Sequence, residues 1–360
     1  MIEERIRQII KPAILDAKAY HVPDAEGLIK LDAMENPYTW PEEIKTVWSD
    51  YLQQAKLNRY PDASASGLKA ALAKLYAVPD NLSMMFGNGS DELIQIILLA
   101  LNRTSNTVMA PEPTFVMYRI LSSMLDLDFV GVPLNDDFSL NHAAMLETIK
   151  EKQPAVIFFA WPNNPTGNTF DQTRMEEIIE SAPGLVVIDE AYHVFAGKTM
   201  LSCINQYSHV LLMRTLSKLG LAGLRLGTLI GVPELINELE KLRLPYNIGT
   251  LNQLSINFIC QHIDVLYQQA EQIRKDRENL FNKLSKIEDI KVWPSETNFI
   301  LFRVTNKQAN EVHAELLKQK ILIKNLNGTH PLLENCLRVT VGTPDENHSF
   351  LNALNQILKS

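Results

Sequence analysis

The chain of 360 residues is 46% hydrophobic, long enough for one large domain or two ordinary ones around a substantial core. Its 34 basic and 42 acidic residues give a net charge of −8 with no basic block, which argues against nucleic acid as the main partner. The three cysteines, Cys203, Cys260 and Cys336, show no metal-ligand spacing, and the longest apolar run, Leu93 to Leu101, is too short for a bilayer, so a soluble chain of the reducing cytoplasm, without metal or membrane partner, is expected.

In chain order, residues 1–36 read as an arm. Charged and apolar residues alternate from Met1 to Ile10 without a signal-peptide layout, and Pro12 and Pro23 act as breakers. Leu28-Ile29-Lys30-Leu31-Asp32 then leads to a turn at Asn36-Pro37-Tyr38. Helices are predicted around Glu42 to Gln54 and from Ser66 to Tyr76, the second capped by Ser64 or Ser66. Beyond residue 84 short apolar runs alternate with helical patterns. The candidate strands are Thr107–Ala110, Asp128–Val132, Ala155–Ala160, Leu185–Ile188, His209–Met213 and Leu226–Gly231. Several are apolar at every position, the mark of strands buried on both faces of a mostly parallel sheet. Residues 37–250 therefore read as a large α/β domain. From Pro245 the texture changes. A long helical pattern runs from Ile263 to Ile287, followed by strands at Asn298–Val304, Ile321–Lys324 and Leu337–Val341 and a helix near Lys307 to Gln319. Residues 251–360 read as a smaller α+β domain, against which the arm packs because it cannot bury a core of its own.

Ligands of open α/β sheets gather beyond the carboxyl ends of the strands, so the residues following each apolar run matter most. Ala155–Ala160 leads into Asn163-Asn164-Pro165-Thr166-Gly167, Leu185–Ile188 into Asp189-Glu190-Ala191-Tyr192, and His209–Met213 into Thr215-Leu216-Ser217-Lys218. Lys218 stands among small and apolar residues, with the hydroxyls of Thr215 and Ser217 before it and Arg225 after it. Apolar surroundings and nearby cations favour a neutral, nucleophilic amine. Hydroxyls and a guanidinium suit a phosphate-bearing aldehyde, so the run suggests a lysine that holds pyridoxal 5'-phosphate as a Schiff base. A surface lysine in a glycine-rich turn is the plainer alternative. Asp189 suits a ring nitrogen, or a helix cap. Asn164 and Tyr192 suit a ring oxygen, although Asn-Pro is also ordinary turn chemistry. Gly87-Asn88-Gly89-Ser90-Asp91 leads into a helix whose amides can meet an anion, or be capped by Ser90 or Asp91. Phe115 can stack on a ring or fill the core. Arg338, alone among apolar neighbours on its strand, calls for an anion, either a structural carboxylate or a substrate group.

These motifs resemble those of the fold-type I PLP-dependent aminotransferases, in that family's order and over nearly the whole chain. Leu31-Asp32-Ala33-Met34-Glu35-Asn36-Pro37-Tyr38, Arg59-Tyr60-Pro61-Asp62 and the stretch Cys336 to Asn347 are most similar to the histidinol-phosphate branch. The resemblance implies a seven-stranded sheet between helices in the large domain. It implies Lys218 as the Schiff-base lysine, Asp189 opposite the ring nitrogen, Asn164 and Tyr192 on the ring oxygen, and Phe115 stacked. Ser90, Asp91, Thr215, Ser217 and Arg225 would hold the cofactor phosphate, with Tyr60 reaching it from the second subunit of a homodimer. Tyr20, Asn36, Asn164, Lys324 and Arg338 would bind substrate. The implied reaction is transamination between histidinol phosphate and 2-oxoglutarate. Lys324 departs from the arginine common at its position, and a lysine is a point charge rather than a fork. An aromatic amino-acid aminotransferase, a decarboxylase of phospho-amino acids and a non-catalytic PLP-binding regulatory module are the alternatives.

Overall fold

The computed structural model describes residues 2–17, 19, 23–102 and 106–359. Among the described residues twelve strands form two sheets. The strands are β1 (Ile29–Leu31), β2 (Ser83–Asn88), β3 (Thr107–Glu112), β4 (Asp128–Pro133), β5 (Val156–Ala160) and β6 (Leu185–Asp189). They continue with β7 (Val210–Thr215), β8 (Leu226–Gly231), β9 (Ile290–Val292), β10 (Phe299–Val304), β11 (Ile321–Asn325) and β12 (Cys336–Thr340). The larger sheet has seven strands in the order β2-β8-β7-β6-β5-β3-β4, and the smaller has five in the order β1-β11-β12-β10-β9. All six strands expected between residues 107 and 231 are present.

In the larger sheet only β8 runs against its neighbours, pairing antiparallel with β7 and β2. The reason lies in the connection. Residues 216–225 between β7 and β8 form a tight loop of short helical turns, without room for the crossover that parallel pairing needs. Strand β5 shows why the sheet is buried on both sides. Val156 and Phe158 enter one apolar cluster, Ile157 and Phe159 the other, and all are inaccessible to solvent. Strand β2 was not foreseen, because Met84-Met85-Phe86-Gly87 carries no β-branched residue and a glycine.

The smaller sheet captures the arm. Strand β1 pairs parallel with β11, matching Ile29 with Ile321 and Leu31 with Ile323. Asn298 Nδ2 donates to Met34 O at 2.9 Å, and Met34 N donates to Thr340 Oγ1 at 3.0 Å. One local expectation is corrected. The helix Ser66–Leu75 is capped neither by Ser64 nor by Ser66. The Asp62 carboxylate accepts from Ser64 N (3.0 Å) and Ser66 N (2.8 Å), while both serine hydroxyls donate to the same group. An ionised carboxylate accepts several such bonds at once, which a serine oxygen cannot match.

One close backbone approach lies where the end of β2 meets β8. A Cβ placed on Gly227 would come within 2.6 Å of Gly89 C and 2.8 Å of Ser90 N, both main-chain atoms that cannot step aside. Gly227→Ala is therefore expected to destabilise the protein by about 1–3 kcal/mol. Gly223→Ala, where the added carbon meets nothing within 4 Å, should stay within about 0.5 kcal/mol of the parent. Urea-unfolding midpoints of the two variants check this.

Candidate active site

The carboxyl ends of β5, β6 and β7 open into a cleft of about 240 Å³. Its walls include Ser90, Asp91, Phe115, Asn164, Asp189, Tyr192, Thr215, Ser217, Lys218 and Arg225, ten side chains singled out from the sequence. They come from five separate stretches of chain. Register explains part of the meeting, since Ala160 on β5 pairs with Asp189 on β6, and Asp189 with Met213 on β7.

One end of the cleft is built for an anion. The helix Ser90–Leu99 starts behind Gly89, whose φ of 86° is open to glycine at little cost, and no side chain caps that start. Its first amides are thus free of a capping side chain, the condition under which a helix N-terminus receives an anion. Arg225 lies across the same end. A Cβ on Gly89 would stand 2.5 Å from Arg225 Nη2, so the absence of a side chain at Gly89 lets the guanidinium lie in its present position. Arg225 is itself held in the left-handed region, at φ 45° and ψ 56°, and its Nη2 lies 3.6 Å from Asp91 Oδ2. Thr215 Oγ1 donates to Ser217 Oγ at 2.9 Å and accepts from Ser217 N at 3.1 Å, which orients the serine hydroxyl.

The other groups are an acid and an amine. Asp189 is buried at the end of β6. Burial pushes its carboxyl up to about 6, against hydrogen bonds from the Tyr118 hydroxyl and the Ala191 amide. Lys218 Nζ donates to Ala33 O at 3.4 Å and lies 5.9 Å from the centre of the Tyr192 ring. Burial, then the charge of Arg338, holds its amine down at about 8. Asn164 Nδ2 donates to Tyr192 Oη at 3.3 Å, and its Oδ1 accepts from Arg338 Nη1. Burial drives the Tyr192 hydroxyl well up, so it stays protonated. An anion cradle, a buried acid and a weakly basic amine in one cleft fit the phosphate, ring nitrogen and aldehyde of pyridoxal phosphate.

The remaining sequence candidates among the described residues lie outside the cleft wall. Arg338 touches it through Asn164 and donates to Asp32 O at 2.9 Å. Lys324 stands directly across the β11–β12 ladder from Arg338. Asn36 donates to Leu219 O (3.2 Å) and Gln269 Oε1 (2.9 Å), tying the arm to the Lys218 loop. Tyr60 is 80% exposed. Tyr20 falls outside the described residues. Two contributors were not anticipated: the arm segment Ala33, Met34 and Glu35, which lines the cleft, and Tyr118, which bonds Asp189. Tyr118 follows Phe115 at helical spacing, but nothing in the sequence separates it from a core aromatic. Adjacent asparagines also divide their work. Asn163 is fully buried and bonds Pro113 O, Thr114 Oγ1 and Thr166 Oγ1, shaping the loop that presents Asn164.

The chain is similar to known proteins along nearly its whole length. The family profile for aminotransferase class I and II matches residues 26–354. Histidinol-phosphate aminotransferase 2 of Nitrosococcus oceani is 52% identical over 354 residues, covering 98% of each chain. Histidinol-phosphate aminotransferase 1 of Ralstonia nicotianae is 45% identical, over 98% of this chain and 95% of its own. Among solved structures, the histidinol-phosphate aminotransferase of Sinorhizobium meliloti in complex with pyridoxal-5'-phosphate superposes with a TM-score of 0.85 over 97% of each chain, at 21% identity. The chain belongs to the class I and II aminotransferase family.

Proposed function

We propose that the cleft binds pyridoxal 5'-phosphate and that the chain transfers the amino group of L-histidinol phosphate to 2-oxoglutarate, giving imidazole acetol phosphate and L-glutamate, in histidine biosynthesis. The observation that carries this reading is the meeting of Lys218, Asp189 and the anion cradle in one cleft. The 52% identity to the Nitrosococcus oceani protein supports the choice of substrate.

Pyridoxal phosphate, when bound, supplies an aldehyde that condenses with amines and a cationic ring that draws off the electrons of a neighbouring carbanion. Lys218 Nζ is the nucleophile toward that aldehyde and, once free, the base that takes the proton from the amine-bearing carbon of the substrate. Asp189 keeps a proton on the ring nitrogen by its opposite charge. Asn164 and Tyr192 hold the ring oxygen, and Phe115 covers a ring face. Ser90, Asp91, Thr215, Ser217 and Arg225 hold the cofactor phosphate. Arg338 and Lys324 receive the substrate phosphate, Tyr20 contributes to substrate binding, and Asn36 acts from outside the cleft wall by holding the Lys218 loop. The charge of Arg338 lowers the basicity of Lys218. A phosphate bound at Arg338 offsets that charge, so substrate binding itself strengthens the base that must accept its proton.

The active form in this reading is a cytoplasmic homodimer, with Tyr60 reaching the cofactor phosphate of the other subunit. Tyr60 stacks on Tyr246 with ring centres 4.4 Å apart, and Leu57 and Leu244 beside them in sequence are also strongly exposed. Exposed apolar patches of this kind mark association surfaces. Among the described residues no helix is long and apolar enough to cross a membrane. We also assign residues 1–36 to the arm, 37–250 to a large domain and 251–360 to a small one. Supporting this, the seven-stranded sheet lies within residues 83–231, and β1 adds to the sheet of the C-terminal strands.

The purified yellow protein mixed with histidinol phosphate should lose its visible cofactor absorbance in a single half-turnover, and phenylalanine or tyrosine should act far more slowly; equal rates would favour the aromatic amino-acid reading, with Lys324 too weak a grip for phosphate selectivity. In the apo-protein, reductive labelling of Lys218 by an aldehyde should rise about tenfold per pH unit and level off above about 8, because the neutral amine is the reactive form. Lys218→Ala should keep the fold and lose both label and colour, whereas a coloured variant would refute the assignment. Sedimentation equilibrium should give twice the 40.7 kDa chain mass. Tyr60→Phe should leave the dimer intact and weaken cofactor binding by about fivefold or more, the loss of one hydrogen bond to a charged group; a fully active monomer would dispose of the shared site.

A further inference from the structure

The Asp189 carboxylate can serve the ring nitrogen only in a fixed orientation. A carboxylate on a short side chain turns easily, since its terminal torsion is broad and roughly two-fold. Asp189 is buried, and both of its oxygens have a protein donor. Oδ1 accepts from Ala191 N at 3.1 Å, a local bond two residues along the chain. Oδ2 accepts from the Tyr118 hydroxyl at 2.8 Å, a bond that reaches across 71 residues of sequence.

Tyr118 is a rigid donor. It sits in the helix Met117–Met124 and is fully buried. Its ring lies nearly parallel to Phe158 of β5, with centres 4.6 Å apart and planes at 14°. The edge of Phe115 closes on it at 5.6 Å and 86°. The ring is therefore gripped between the sheet and the residue proposed to cover the cofactor. Burial and the charge of Asp189 drive the Tyr118 hydroxyl well above its usual range, so it donates and does not ionise. The other ionisable groups acting on Asp189 are Asp91, from the helix Ser90–Leu99, and Lys218, from the loop after β7. Tyr192, close by on the loop after β6, stays neutral.

We propose that Tyr118 is the positioning residue of Asp189: its hydroxyl locks the carboxylate's rotation and keeps it an anion, so that a free lone pair of that anion faces the ring nitrogen of the cofactor. The inference rests on the reading of the cleft as a pyridoxal phosphate site. Tyr118 touches neither substrate nor cofactor in this scheme. It acts through Asp189, against the cost of holding a charge in a buried place. Without the hydroxyl, the same burial acts on a carboxylate with one donor fewer, and the charge facing the ring nitrogen weakens.

The test is Tyr118→Phe, which removes one oxygen and keeps the stacked ring. The holoenzyme is reconstituted with pyridoxal phosphate labelled with ¹⁵N in the ring, and the nitrogen signal is followed against pH. Cofactor affinity is measured by titration of the apo-protein, and turnover separately. The variant is expected to lose the ring-nitrogen proton at a lower pH than the parent, to bind the cofactor about tenfold more weakly and to turn over at least about tenfold more slowly, the loss of one hydrogen bond to a charged group. Phe158→Leu loosens the packing of Tyr118 but leaves its hydroxyl, and should lower the melting temperature with the nitrogen titration unchanged. Adding Tyr118→Phe to Asp189→Asn should not move the nitrogen signal further. A parental nitrogen titration in Tyr118→Phe overturns the proposal, as does an equal shift in Phe158→Leu, which would make the effect one of packing. A parent protein that takes up no cofactor, or an Asp189→Asn variant whose ring nitrogen stays protonated, overturns the cleft assignment and this inference with it, a pattern distinct from failure at Tyr118 alone.

Discussion

A strand covered on both faces has no place for a polar side chain except at its end. In β5, β6 and β7 the side chains up to Ala160, Ile188 and Met213 are packed into apolar clusters on one face or the other, and the first groups able to meet a ligand stand at or just beyond the carboxyl ends. Parallel pairing brings those ends to a common edge. The chemistry of the cleft depends on this arrangement. Asn164, Asp189 and Lys218 share an environment dry enough to push an acid up and an amine down, so that both titrate nearer neutrality than they do in water.

The residue beside Asp189 shows how direction along a strand separates function from support. Glu190 points away from the cleft and is fully buried. Its Oε2 accepts from Arg214 Nε (3.0 Å) and Nη2 (2.8 Å), and from Thr199 Oγ1 at 3.0 Å. Arg214 lies 4.9 Å from the centre of the Tyr76 ring. A buried pair this well bonded is costly to break on one side, because the remaining charge is then left without a partner. It ties β6 to β7 immediately behind the two segments that carry Asp189 and Lys218. His193, next to the pair, is held neutral by burial and by Arg214, its pKa lowered to about 3.

The cleft is completed by parts that belong to neither the large sheet nor its loops. The arm enters the smaller sheet as β1, runs past the cleft at Ala33, Met34 and Glu35, and is held at Asn36 by the Lys218 loop. Arg338 of the smaller sheet reaches the loop after β5 of the larger one, with one guanidinium nitrogen on Asn164 and another on Asp32 O. The cation that tunes Lys218 is therefore carried by the smaller sheet. Any shift of that sheet relative to the larger one changes the field at the amine.

By itself the sequence determined the strands that carry the site. Their apolar runs are continuous, and the polar residues that end them are few and distinct, so Asn164, Asp189, Tyr192, Lys218 and Arg225 could be picked out one motif at a time. Only the tertiary structure decided how those motifs combine. It turned Asn164 inward and Asn163 into the loop's framework, made Asp62 rather than a serine the cap of its helix, and placed Asn36 against the Lys218 loop instead of in the cleft wall. It also gave Tyr118 its partner across 71 residues of chain. The physical reason is common to all of these. Apolar periodicity is a local signal, whereas the partner of a hydrogen bond is set by whichever distant segment the packed sheets bring within about 3 Å.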